Sequence, residues 1–211
     1  SRVRRHVLGT DPSDDPVVFD EPDDSFYLDV GRSKDGRYLY IYSQSTVSTE
    51  QRFAVAADPD LKFAILIARE RDHEYHAEHF DGRWIIRTNW QAPDFRLVQV
   101  PVGGQADRTR WQELVAPDAG TFIHRFDVFR DFVAIEERSG GLRKVRVRPW
   151  KGGEDFCLAS DEPAYRMTLG DNEELDSNVL RYTYTSLTTP LTTYDIDLHT
   201  GERTLLKQEP V

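Results

Sequence analysis

The sequence predicts an all-β fold: a partial β-propeller of about four blades, each of four antiparallel strands. Three observations carry that expectation. First, one motif returns. The run Asp35-Gly36-Arg37-Tyr38-Leu39-Tyr40-Ile41-Tyr42, a tight turn feeding a strand, is echoed at Asp81-Gly82-Arg83-Trp84-Ile85-Ile86, at Arg130-Asp131-Phe132-Val133-Ala134-Ile135 and at Ser177-Asn178-Val179-Leu180-Arg181-Tyr182. Its matched residues Tyr38, Trp84, Phe132 and Val179 stand 46, 48 and 47 residues apart. Second, a later series of strand-like segments keeps the same step, with Val100, Val147 and Ile196 separated by 47 and 49 residues. A period of about 40–50 residues built only of strands and turns is that of a propeller blade. Third, no stretch of ten residues or more repeats its apolar side chains every 3.6 positions, so almost no helix is expected.

The chain reads as one propeller fragment, 1–211, divided at the turn signals. Residues 1–24 are the edge of a preceding blade: a basic stub, two acidic proline-bearing clusters and the short strand-former Val17-Val18-Phe19. The first full blade, 25–70, has strands expected at Phe26–Val30, Arg37–Gln44, Gln51–Ala57 and Leu61–Ala68. The second, 71–117, has them at Glu74–Phe80, Arg83–Asn89, Phe95–Val102 and Arg110–Ala116, with Gln105–Trp111 left as a loop or a single helical turn. The third, 118–160, runs through Phe122–Phe129, Phe132–Arg138, Leu142–Pro149 and Phe156–Ala159. The fourth, 161–211, runs through Ala164–Leu169, Val179–Ser186, Thr192–Leu198 and Thr204–Lys207. Tyr, Ile, Val and Phe favour strands, and the joints carry the Gly, Asn, Asp and Pro of hairpin turns.

Composition narrows the function classes. A net charge of −10 argues against nucleic acid, whose phosphates call for a basic footprint. No run of eighteen apolar residues exists, so no membrane partner is expected. The single cysteine, Cys157, allows no internal disulfide; it is expected to be a buried thiol in an apolar strand of a cytoplasmic protein. The chain starts on Ser1 in the middle of a basic segment, and is expected to be a piece of a longer protein. A ring that does not close leaves open blade edges, which self-association could cover.

The densest cluster of functional side chains is His73-Glu74-Tyr75-His76-Ala77-Glu78-His79. It misses the His-Glu-x-x-His spacing of a zinc peptidase by one position. On a strand, Glu74, His76 and Glu78 share one face and His73, Tyr75, Ala77 and His79 the other. Because this is an innermost strand, the Glu74–His76–Glu78 stripe is the candidate channel lining. No metal and no cofactor are expected: the aspartates of 11–24 and 171–176 fit no calcium loop and read as turn residues. Glu136, Glu137 and Arg138, with Arg143, Arg146 and Arg148, read as cross-strand ion pairs on blade surfaces, worth little each, or as contacts to another domain. The four tryptophans read as core between blades.

The runs Val7-Leu8-Gly9-Thr10-Asp11-Pro12-Ser13-Asp14-Asp15 and Ser33-Lys34-Asp35-Gly36-Arg37-Tyr38-Leu39 resemble the propeller of the prolyl oligopeptidase family of serine peptidases, its oligopeptidase B (protease II) branch above all. So do Asp81–Asn89 and the tail Arg181-Tyr182-Thr183-Tyr184-Thr185-Ser186-Leu187-Thr188-Thr189-Pro190. The resemblance implies a seven-bladed parent propeller over an α/β-hydrolase domain with a Ser-Asp-His triad. It implies short peptide substrates, cleaved after Lys or Arg, and a propeller that restricts access to the catalytic site. The chain itself contains no Gly-x-Ser-x-Gly; Gly31-Arg32-Ser33-Lys34-Asp35 begins that pattern but breaks it and leads into a strand. No catalytic residue is therefore assigned, and the fragment alone is expected to be inactive. The alternative is a stand-alone propeller that binds partners without enzymatic activity.

Overall fold

The computed structural model describes residues 1–160 and 162–210, and within them eighteen strands and two short 3-10 turns. The chain divides into two compact units. The first comprises Ser1–Trp90 with Val98–Leu114, the second Gln91–Leu97 with the chain from Val115 onward.

The first unit opens with β1 (Arg2–Arg4) paired antiparallel to β2 (Val17–Asp20). Two four-stranded antiparallel sheets follow in simple meander order. One consists of β3 (Tyr27–Arg32), β4 (Tyr38–Gln44), β5 (Thr49–Val55) and β6 (Ala64–Ile67). The other consists of β7 (Tyr75–Phe80), β8 (Arg83–Thr88), β9 (Arg96–Pro101) and β10 (Gln112–Val115). Asp81-Gly82 forms the two-residue turn between β7 and β8, both residues at positive φ (48° and 74°), the mirror-image turn whose twist matches paired strands. The loop at 105–111 forms one 3-10 turn, Arg108–Arg110, capped by the Asp107 carboxylate on the Thr109 N–H.

Between the two sheets lies a core of Tyr40, Leu66, Tyr75, Ala77, Trp84, Ile86 and Val98. Trp84 is wholly buried and Trp111 packs against the same cluster. Trp90 sits instead under the Arg108 guanidinium, 3.7 Å from its ring centre.

The second unit holds β11 (Thr121–Val128), β12 (Phe132–Ser139), β13 (Leu142–Pro149), β14 (Phe156–Cys157), β15 (Tyr165–Leu169), β16 (Val179–Ser186), β17 (Thr192–Asp197) and β18 (Arg203–Gln208). These form two antiparallel sets joined by one parallel bridge, Arg143↔Arg166, between β13 and β15. Their shared core includes Phe129, Phe132, Val145, Met167, Leu180 and Tyr182. Trp150 ties the edge of this core by donating its indole N–H to the Phe129 carbonyl at 2.7 Å.

Two expectations need correction. Cys157 is exposed, not buried, because β14 is only two residues long and pairs on one side alone, with β13. Glu136 and Glu137 are not surface residues: both are buried, on opposite faces of β12. A strand in the middle of a blade is covered on both sides, so the apolar run Phe132–Ile135 and the two glutamates that continue it share that fate.

Candidate functional site

The candidate stripe runs from Glu74, just before β7, along that strand, whose alternation is as expected. Tyr75, Ala77 and His79 point into the core, while Glu74, His76 and Glu78 lie on a half-buried face. His76 stacks on the Tyr42 ring, 5.6 Å between centres, and stands opposite Arg87 of β8 in the strand register. Burial pushes the Arg87 guanidinium down to about 10, against the pull of the Glu74 charge. The stripe is thus a line of two carboxylates, one imidazole and one arginine on a tyrosine-backed wall.

Glu78 is the most perturbed member. Its Oε1 accepts hydrogen bonds from the His79 N–H (2.9 Å), the Tyr40 hydroxyl (3.1 Å) and the Lys34 N–H (3.2 Å). Those donors favour the charged form, yet burial outweighs them and pushes the carboxyl up to about 7. Burial, with Glu78 as the nearby negative charge, likewise raises the Tyr40 and Tyr42 hydroxyls. Glu78 can therefore gain or lose its charge near neutral pH.

Behind the stripe, the turn of the opening motif is bolted to β7. Ser33 donates its hydroxyl to Asp35 Oδ1 at 2.7 Å, and Asp35 Oδ2 lies 2.6 Å from His79 Nδ1. Burial alone would raise the Asp35 carboxyl; the Arg37 N–H, the Ser33 hydroxyl and His79 together bring it below its ordinary value. Serine, aspartate and histidine are in line here, but in the wrong order for catalysis. A catalytic serine must give its proton to the imidazole, whereas Ser33 gives its own to the carboxylate and also accepts the Tyr38 N–H. His79 is 1% exposed, out of reach of any substrate. Gly36 closes this turn at φ +73°, where a Cβ would also meet the Arg32 guanidinium at 2.7 Å.

The remaining histidines serve packing or local pairing. His73 is held neutral, pushed to about 4 by burial and by the Arg108 charge, with Nδ1 3.2 Å from Arg108 and Nε2 2.9 Å from the Thr88 hydroxyl. His6 pairs with Asp15, and His124 lies between Phe122 and Arg143. The acidic clusters are likewise used locally. Asp11 and Asp23 cap turns, Asp20 pairs with Arg2, and Asp176 pairs with Arg130. Buried Glu21 accepts from Arg69, Ser43 and the Asp23 N–H; burial opposes its ionisation, but these bonds prevail and hold it at about 2. No group of three or more His, Cys, Asp or Glu side chains suited to a metal occurs among the described residues.

What sequence reasoning missed is how the free edges of inner strands are closed. The side-chain amide of Gln51 bonds both the C=O (2.8 Å) and the N–H (2.9 Å) of Ala77, as a neighbouring strand would. Thr49 does the same for Tyr75, and the Tyr75 hydroxyl reaches back to Gln51 and Ile67. On β15 of the second unit, the Leu169 N–H bonds Glu136, and Arg125 donates to the Leu169 and Gly170 carbonyls. Only the 47-residue step, which places each such side chain one blade before the edge it closes, signals this arrangement.

Residues 1–209 match the family described as "Prolyl oligopeptidase, N-terminal beta-propeller domain". The chain belongs to that family. It is 46% identical over its whole length to a dipeptidyl aminopeptidase BI of Pseudoxanthomonas mexicana, and 31% identical over 98% of its length to a protease 2 of Moraxella lacunata. It spans 29% of the length of each. Among solved structures, oligopeptidase B from Trypanosoma brucei, bound covalently to antipain in a closed form, superposes on the whole chain with a TM-score of 0.91 at 26% identity; the chain covers 31% of it. The family propeller accounts for the four-stranded sheets and for the repeat of about 47 residues. No helix among the described residues is long and apolar enough to cross a membrane.

Proposed function

We propose that this chain is the gating and scaffolding propeller of a serine-type oligopeptidase whose α/β-hydrolase domain lies elsewhere in the same parent chain. The parent cleaves short peptides after Lys or Arg, and the Glu74–His76–Glu78 stripe lines the substrate route. What supports this reading is the family match over residues 1–209, together with the likeness to oligopeptidase B. The carboxylates of the stripe support a cationic side chain there, and the absence of Gly-x-Ser-x-Gly from this chain supports a nucleophile in the other domain. A second reading is favoured by the 46% identity to a dipeptidyl aminopeptidase: the parent removes dipeptides from an amino terminus.

Expression of the full open reading frame separates the two. Cleavage within peptides on the carboxyl side of Lys or Arg, blocked peptides included, is the expected result. Release of dipeptides only from free amino termini selects the second reading. A frame with no downstream Gly-x-Ser-x-Gly, or a full-length product without peptidase activity, overturns both. Residues 1–211 alone are expected to show no hydrolysis.

A further inference from the structure

The hairpin between β16 and β17, Ser186-Leu187-Thr188-Thr189-Pro190, is built unlike an ordinary surface loop. Its hydroxyls turn inward onto one carboxylate. Glu162, from the segment before β15, accepts from Thr188 Oγ1 (2.6 Å), Thr189 Oγ1 (2.8 Å) and the Tyr184 hydroxyl (2.9 Å). Ser186, Thr188, Thr189 and Tyr184, in that order of weight, hold its carboxyl at about 2. Ser186 Oγ also accepts the Thr188 and Thr189 N–H groups (3.1 and 2.9 Å), and the Ser186 N–H closes the turn on the Thr189 carbonyl at 3.0 Å.

While the three hydroxyls of the turn are spent on Glu162 and on the turn's own N–H groups, the apolar Leu187 points out, 94% exposed. A single exposed leucine is ordinary, and Leu8 is exposed to the same degree; what sets Leu187 apart is the turn beneath it, held in one shape by its own hydroxyls and Glu162. The bracing removes the ordering cost that a flexible loop would meet on binding, which is how a small contact gains affinity.

The place of this turn indicates what it meets. The last strand ends beside it: the Glu209 N–H bonds the Leu191 carbonyl at 3.0 Å, and the Gln208 side chain bonds the Thr192 hydroxyl at 3.0 Å. Any chain continuing past β18 leaves from the same rim of the blade as Leu187. One leucine with half-exposed Leu191 behind it is far short of the roughly 1,000 Å² that a freely diffusing partner or a second copy needs. A domain tethered to the same chain docks at high effective concentration and can use a contact this small.

We propose that the Glu162-braced turn is a docking knob that seats Leu187 in the hydrolase domain of the parent chain. The inference rests on the function proposed above. In the full-length protein, Leu187→Asp is expected to speed limited proteolysis between the two domains by roughly ten-fold or more, the loss of one fully buried leucine. Circular dichroism should be unchanged, because Leu187 supports nothing within the propeller. The double variant Thr188→Val with Thr189→Val keeps the knob and removes its brace; it should act in the same direction but less. Wild-type proteolysis in Leu187→Asp overturns the docking role while leaving the proposed function intact. A change confined to concentration-dependent sedimentation overturns it in favour of a second copy. A frame without a hydrolase domain overturns both proposals.

Discussion

The edge of β7, and that of β15 beyond its single bridge to β13, present the same problem and are closed with different chemistry. On β7 the closing groups are neutral: the Gln51 amide and the Thr49 hydroxyl, with Tyr40 and Tyr75 beside them. On β15 they are charged. Glu136 holds the Leu169 N–H while pairing with Arg125 (3.4 Å) and Arg143 (3.1 Å), and Arg125 in turn holds the carbonyl side. A neutral closure has little desolvation to repay and depends on shape. A charged one depends on every partner staying in place, because a lone buried charge is far costlier than a lone amide. The edge geometry of a blade therefore leaves the chemistry of its closure open, and that choice sets how each closure fails.

The largest effect is expected at the charged closure. Glu136→Ala orphans the buried Leu169 N–H and leaves Arg143 (28% exposed) and Arg125 (49% exposed) without their counter-charge; because solvent partly screens the arginines, the cost in urea unfolding should be about 3 kcal/mol, the lower end for a broken buried pair. A loss below about 1 kcal/mol would show that solvent already screens this network, and the contrast with β7 would fall. Next is the neutral closure. Gln51→Ala strands the Ala77 N–H and C=O in a buried setting and should cost about 1–3 kcal/mol by the same measurement. A loss equal to that of Glu136→Ala would make the distinction between the closures immaterial.

The smallest effect concerns the one ionisable exception near β7. Glu78 is pushed from 4.5 to about 7 in the folded protein, so between those values the folded state binds more protons than the unfolded one. Stability from this group is full below about pH 4.5 and falls as pH rises through about 7. Glu78→Gln keeps an acceptor for Tyr40 and should flatten that decline, raising stability at pH 8 by on the order of 1 kcal/mol. Thermal unfolding between pH 5 and 8 checks this; an unaltered slope would assign the titration to another group.

Much of the fold is legible in the sequence because blade strands are written twice, in residue type and in period. Tyr38–Gln44, Leu142–Pro149 and Val179–Ser186 come out within a residue of the positions read from pattern and turns alone. The alternation of β7 was equally plain, since Tyr75 and Ala77 had to oppose His76 and Glu78. Cys157 misled because Phe156–Leu158 reads as apolar, whereas exposure depends on how far the strand extends and what covers it. Glu136 misled because charge on a strand suggests a wet face, and only its place after an unbroken apolar run points the other way. The roles of Gln51, Glu162 and His79 were not legible at all. Each acts across 22 to 44 residues of chain, on a group brought near only by the fold.

The edge closures join a side chain on one strand to main-chain groups on another, and this divides the burden of keeping a bond unequally. Every residue but proline carries the N–H and C=O that Gln51 grips at position 77, and the N–H that Glu136 and the C=O that Arg125 grip at position 169. The gripping residue must persist; the gripped one can change. Drift in sequence along β7 and β15 is thus free to reshape the faces of these strands without loosening the joints that hold the blades.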